Sequence, residues 1–423
     1  MNINEEMPYV NVIDTYKEED YFLKSTIEIK YIPNFSYIDN GGRSYLITGV
    51  NFKESNDREH RSKIIGLAKN CDYFIKKDIE SSPKIEYVSR ESKNNIHKLD
   101  TGTCKLFYVY KDLIQALSGD GLNFNYFRGQ SHDYPLLPGA LRYKKFTDYI
   151  KQFESIYRKL SFEYPDVLDY VPLCESSKII EREPNLSLLQ HYGLKTALLD
   201  ITKNPYIAML FMLKTNTYKL NKPTLYIFKI DDKITSKPTL FSEVKKSNTN
   251  ERIIAQKGAF LNFEKVLDEN IKEKIPYVKV VLTLDDEKYK SILSENNIFF
   301  RNFGRARSQL IKRKDLRDKN KLTDVNTLLN YQHAYLVDSF INLNKELEVK
   351  LNEYYYTMED MFPDLENRIR YISKKHNDDN NKLKRLFATN FVMYLPNKRR
   401  RWRLKTLSTR FICVRRPKLP LKY

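Results

Sequence analysis

The sequence predicts an α+β protein: a central mixed sheet flanked by helices, with a mixed region in front of it and a helical stretch behind. Two observations lead to this. Runs rich in β-branched and aromatic residues, over 45–50, 122–130, 224–230 and 277–284, read as strands. Segments with apolar residues at helical spacing, over 61–75, 146–164 and 325–356, stand between or after them. The chain has 423 residues, 41% of them apolar, which is enough for two or three domains. The expected divisions are a mixed α/β region over 1–100, a sheet-centred domain over 101–300, a mainly helical insertion over 301–376 and a basic tail over 377–423.

The elements follow in order. Tyr45 to Val50 is apolar and β-branched enough for a strand. Arg61 to Ile75 carries Ile64, Ile65, Leu67, Ala68 and Tyr73 at helical positions. Residues 80–100 are polar and read as loop. Leu106 to Tyr110 reads as a short β-like run, followed by a helix from Lys111 to Leu117, and Ser118-Gly119-Asp120-Gly121 closes it with turn chemistry. Residues 122–130 alternate as a strand does and stop near Gly129. A helix spans 146–164. The stretch 185–215 holds an apolar helix, a Gly193 turn suited to a left-handed cap, a strand from Ala197 to Leu199 and a second helix after Pro205, a residue that fits a first helical turn. Residues 301–321 form a basic run, and 377–381 a polar break.

Composition narrows the function classes. Cys71, Cys104, Cys174 and Cys413 form no Cys-x-x-Cys pair, and the six histidines show no zinc spacing, so reduced thiols and no metal are expected. The apolar run that holds Ala208 to Leu213 is far below the roughly 20 residues a membrane helix needs. The acidic, polar start lacks a signal peptide's basic and apolar regions. A cytoplasmic protein with no membrane partner is the expectation. The net charge is +19, and residues 395–423 carry eleven Lys/Arg and no Asp/Glu, so over half the excess sits in that tail.

Phe127 to Gln130, Leu188 to Thr202 and Arg252 to Phe260 together resemble the bacterial FRG-domain family. Phe127-Arg128-Gly129-Gln130 is followed by Leu136-Leu137-Pro138-Gly139-Ala140-Leu141-Arg142. Leu188 to Thr202 reads LLQHYGLKTALLDIT and leads into Asn204-Pro205 and Ala208; it is similar to the family's LAQHYGLPTRLLDWT. Arg252 to Phe260 resembles the family's R-I-x-A-Q-x-G-x-F. A weaker echo, Met361-Phe362-Pro363-Asp364-Leu365-Glu366, resembles its closing F-P-D-L and implies that the helical insertion rejoins the domain near 361–366. Ala197 and Ile201 stand where the family has arginine and tryptophan, so an anion clamp at that arginine does not carry over.

The matched positions concentrate polar groups on otherwise apolar segments: Arg128, Gln130, Arg142, Gln190, His191, Tyr192, Thr196, Asp200, Thr202, Arg252 and Gln256. Buried polar groups need partners, so one shared pocket is the simplest consequence, with Arg128, Gln130, His191, Asp200 and Gln256 expected to converge. Arg128 offers a fork suited to phosphate or carboxylate, or it pairs with Asp200 as a structural ion pair. His191 and Asp200 are the candidates for proton transfer or orientation, and Gln130 and Gln256 for amide recognition. Asp200 is expected at a strand end. Thr196 and Thr202, flanking the strand, are candidates for capping or binding.

Two function classes follow. One is an enzyme on an anionic, nucleotide-like substrate. Phe127-Arg128-Gly129 looks similar to the opening strand of some ADP-ribosyltransferases, whose arginine holds the NAD phosphates. The family's occurrence in bacteria beside mobile or defence genes implies an effector role in phage defence or toxin action. The other is a non-catalytic binder of nucleic acid or a nucleotide signal. There the tail residues Lys398, Arg399, Arg400, Arg401 and Arg403 would contact phosphates and Trp402 would stack on a base.

Overall fold

In the computed structural model the described residues are 16–33, 45–81, 105–119, 121–142, 146–173, 176–213, 222–243, 256–268, 270–271, 273–289, 343–358 and 360–361. The Arg252 motif position, the 301–321 run, the closing 362–366 echo and the whole basic tail lie outside them.

Eight strands make one mixed sheet. They are β1 (Phe22–Pro33), β2 (Tyr45–Ser55), β3 (Tyr126–Gln130), β4 (Leu198–Thr202), β5 (Thr224–Phe228), β6 (Phe241–Ser242), β7 (Gly258–Asn262) and β8 (Ile275–Leu284). Their order is β2-β1-β8-β5-β3-β4-β7-β6. β1 runs parallel to β8, from Phe22 opposite Ile275 to Tyr31 opposite Leu284, and the other pairings are antiparallel. Strands of the first hundred residues and of the central stretch therefore share a single sheet. The helices of more than one turn are α1 (Arg61–Ser81), α2 (Leu106–Ser118), α3 (Phe146–Glu163), α4 (Ser176–His191) and α5 (Pro205–Met212), with a further helix over 343–353.

Alternation along each strand divides the core between the two faces. Ile27, Ile29, Phe127, Leu225, Ile227, Val278 and Val280 pack with α1, α2, α5 and the 343–353 helix. Tyr126, Leu199, Ile201, Tyr226, Phe228, Ala259 and Leu261 build the second cluster. A third joins α3 and α4 to Leu198 and Phe260.

Three local expectations are corrected. Leu106 to Tyr110 is not a β-like run but the start of α2. Leu106, Phe107, Val109, Tyr110, Leu113, Ile114 and Leu117 are its buried residues, and those positions recur at helical, not alternating, spacing; the local β-propensity of Phe, Tyr and Val yields to that burial. The strand expected over 122–130 begins only at Tyr126. Gly121 and Asn123 have φ of 72° and 56°, so the chain is still turning there, and Asn125 ties the turn down by bonding both the carbonyl and the N–H of Ile230. The strand expected over 197–199 runs from 198 to 202, which puts Asp200 in its middle.

Two glycines and a cap hold the motif segments in place. Gly193, at φ 95°, ends α4, with Leu194 N–H reaching the Leu189 carbonyl and Gly193 N–H the Gln190 carbonyl, the pairing of a left-handed helix cap. Asn204 caps α5 by accepting from Tyr206 and Ile207 N–H, with Pro205 in the first turn. Gly129 is required by contact: a Cβ there would lie 1.7 Å from the Ala208 carbonyl oxygen. That is the physical reason for glycine after Arg128: α5 lies directly against the strand's backbone.

Candidate functional site

β3 and β4 pair at a single residue pair, Phe127 with Thr202. Beyond it the strands part, and the guanidinium of Arg128 reaches across the gap to donate to the Asp200 backbone carbonyl at 2.5 Å. A cleft of about 330 Å³ opens there, lined among others by Arg128, Gln130, Tyr134, Arg142, Asp200, Thr202 and Gln256. Arg128 and Gln130 point to one face of the sheet, and Asp200 and Thr202 to the other, by strand alternation. The split lets both sets line one cavity. Ile207, Ala208 and Phe211 of α5 form an apolar wall.

The charge in this cleft is incompletely matched. Among the described residues no carboxylate stands within salt-bridge distance of Arg128, whose Nε is buried without a partner. Burial pushes the guanidinium down to about 10; the Asp200 carboxylate opposes that shift and Arg142 adds to it. Arg142 donates from Nε to the Leu137 carbonyl at 3.0 Å and from Nη2 to Gln130 Oε1 at 3.2 Å, and lies over the Tyr134 ring. Gln130 is buried, and its Nε2 is a second donor with no partner. Arg128 Nε and the Gln130 amide N–H are thus two buried donors in one cleft for which the described residues supply no acceptor. Leaving such buried donors unmade costs about 1–3 kcal/mol each, which a ligand's oxygens would recover.

The ion pair between Arg128 and Asp200, open as an alternative in the sequence, does not form: the arginine takes the carbonyl. The Asp200 carboxylate accepts from Gln190 Nε2 at 2.7 Å. Gln190 Oε1 in turn accepts from the Thr196 hydroxyl, and Thr196 Oγ1 accepts from Leu198 N–H at 3.2 Å. Gln190 and Thr196 therefore hold Asp200 without lining the cleft. His191 does not line it either. Neighbouring residues on a helix do not face the same way, so with Gln190 turned to β4 the next side chain points elsewhere; its ring meets Tyr192 edge-on, and its buried Nδ1 has no partner. Tyr192 is exposed. Thr202 is spent on structure, donating to the Gln256 carbonyl at 2.7 Å and accepting from Asn204 N–H at 3.0 Å. Gln256 lines the cleft, but its amide donates to the Met361 carbonyl at 2.9 Å. That bond uses one of the amide's two N–H groups and ties the cleft to Met361.

Two features went unread in the sequence. Tyr134, under Arg142, falls between motif residues and carries no pattern of its own. The fully buried Arg182 of α4 binds Glu264 through two contacts of 3.0 Å and Glu154 of α3 through two, of 2.5 and 3.4 Å; its partners stand 28 and 82 residues away, beyond any local spacing signal. Cys71 is free, while Cys104, Cys174 and Cys413 lie outside the described residues. No group of three or more His, Cys, Asp or Glu suited to a metal occurs among the described residues, and none of their helices is long and apolar enough to cross a membrane.

A larger groove, of about 750 Å³, lies around Tyr126, Ile180, Pro238 and Phe241. Its lysines Lys203, Lys237 and Lys265 each stand within ion-pair distance of a glutamate, whereas Arg128 of the smaller cleft has no such partner among the described residues.

The family model of the FRG domain matches residues 123–220. The chain therefore contains an FRG domain, and the arginine and glycine of its Phe-Arg-Gly opening are the residues at the strand split. No curated protein and no solved structure matches the chain.

Proposed function

We propose that the cleft between β3 and β4 binds an anionic, nucleotide-like ligand through Arg128, Arg142 and Gln130. The observation that carries this reading is the pair of buried donors without partners, Arg128 Nε and Gln130 Nε2, in a cavity where Arg128 meets no carboxylate of the described residues as an ion-pair partner. Phosphate oxygens suit such a fork. The volume is near the low end of the roughly 300–1,000 Å³ of ligand sites. That suits one phosphate-bearing half of a nucleotide, so NAD would enter by one half only. Such ligands are abundant in the cytoplasm, where this reading puts the protein's work.

The test is calorimetric titration of the full chain with pyrophosphate, ADP-ribose and NAD. Arg128→Ala should weaken binding by about 30-fold or more, in the range of a charged hydrogen bond; Lys237→Ala, in the larger groove, should leave it unchanged. Equal affinity in wild type and Arg128→Ala would end the proposal. Deleting residues 395–423 in the same titration separates the cleft from nucleic-acid binding by the tail. Following nicotinamide release from NAD reports whether binding is accompanied by ADP-ribosyl chemistry, and growth of cells expressing wild type or Arg128→Ala tests an effector role in defence or toxicity.

A further inference from the structure

We infer that Asp200 is a specificity-determining residue that reads the sugar hydroxyls of the ligand, so that the cleft takes a phosphorylated ribose in preference to its deoxy form. This rests on the anion-binding reading and deepens it. Asp200 is the one exposed residue of β4, whose four other residues are buried. A carboxylate beside an anion site is unfavourable unless it has its own task, because it repels the charge the arginines attract. Here the protein could have neutralised it with Arg128, which instead donates to the Asp200 carbonyl.

The carboxylate is also held rather than free to turn away. Leu198 N–H fixes the Thr196 oxygen, Thr196 donates to Gln190, and Gln190 donates to Asp200 Oδ1. Every member of this relay is spent on setting one oxygen. Asp200 Oδ2 has no hydrogen-bond donor among the described residues, and Asp200 lines the cleft. An acceptor held in place in the same cleft as two guanidiniums calls for a ligand carrying both an anion and hydroxyl donors. A ribose phosphate has that combination, with its diol a few bonds from its phosphate. Gln190 and Thr196 are positioning residues in this account.

The experiment uses base-free probes on the full chain: ribose 5-phosphate, 2-deoxyribose 5-phosphate and pyrophosphate, measured by ligand-observed NMR titration. Wild type should prefer ribose 5-phosphate over the deoxy sugar by at least about tenfold, the value of one hydroxyl-to-carboxylate bond. Asp200→Asn, which keeps an oxygen for Gln190, should shrink that preference to about twofold or less and leave pyrophosphate as tight or tighter. Gln190→Ala, which frees the Asp200 carboxylate, should lower the preference as well. Arg128-dependent pyrophosphate binding with no sugar preference in wild type, an outcome that needs no variant to fold, overturns this inference alone. Pyrophosphate binding that is absent or indifferent to Arg128→Ala removes the anion reading, and this inference with it.

Discussion

Two arginines of this molecule, Arg182 fully buried and Arg128 half-buried at the cleft, stand under opposite conditions. Arg182 is enclosed by α3, α4 and the turn after β7, with Glu154 and Glu264 on it and the Tyr157 ring beneath. Burial alone would lower its pKa, but Glu264 and Glu154 reverse that and hold the guanidinium above its ordinary value. Arg128, at the strand split, has no such partner and is pushed below its ordinary value. The difference teaches where charge serves structure and where it serves a ligand. A buried charge completed by the protein is a clamp, and one left incomplete beside a cavity is a site with its counter-ion still to come.

The largest expected effect tests the clamp. Arg182→Met leaves two glutamates buried without their cation and should cost about 3–5 kcal/mol in urea unfolding; a loss below about 1 kcal/mol would mean the cluster is solvated and the contrast false. Next comes the frame of the cleft. Gly129→Ala drives a Cβ into the Ala208 carbonyl and should destabilise by about 3 kcal/mol, by the same denaturation assay, because neither the strand nor α5 can move without unpacking the first core cluster.

The third prediction reverses sign. Arg128→Leu removes a half-buried, incompletely paired charge, so the ligand-free protein should gain up to about 1 kcal/mol while pyrophosphate affinity falls by about 100-fold. Thermal melting with and without pyrophosphate measures both. A variant that loses stability as Arg182→Met does would show that Arg128 is structural.

The smallest effect is one of pH. Burial raises Glu264 above the ordinary carboxylate range despite Arg182. The folded state then takes up a proton more readily than the unfolded chain, so between the ordinary value and the raised one this group adds stability as pH falls. Glu264→Gln should flatten that part of the pH profile, as read from urea midpoints between neutral pH and the ordinary carboxylate pKa. An unchanged profile would show that Arg182 fully balances both glutamates.

Much of the cleft was legible because its residues belong to short strings. Arg128 and Gln130 share five residues of strand, and Leu188 to Thr202 carries Gln190, Thr196 and Asp200 with the Gly193 turn between them. Roles were less legible than positions. His191 and Gln190 are equivalent in a sequence, and only the angle at which α4 meets β4 selects the glutamine. Gln256 and Thr202 present ordinary binding chemistry yet are engaged by Met361 and by each other's segments. β1 went unread as a strand, and its pairing with β2 is irregular: the register shifts twice, near Thr26 and Lys30.

By itself the sequence determined the α+β class, the helix ends at Gly193 and Asn204, and the strings that make an FRG domain, since periodicity, capping and turn chemistry act within a few residues. Only the tertiary structure decided that β1 joins β8, that β3 and β4 part after one pair, and that Arg182 is neutralised while Arg128 is not. Those outcomes depend on which distant side chains meet, and the energy of a buried charge is set by its neighbours in space.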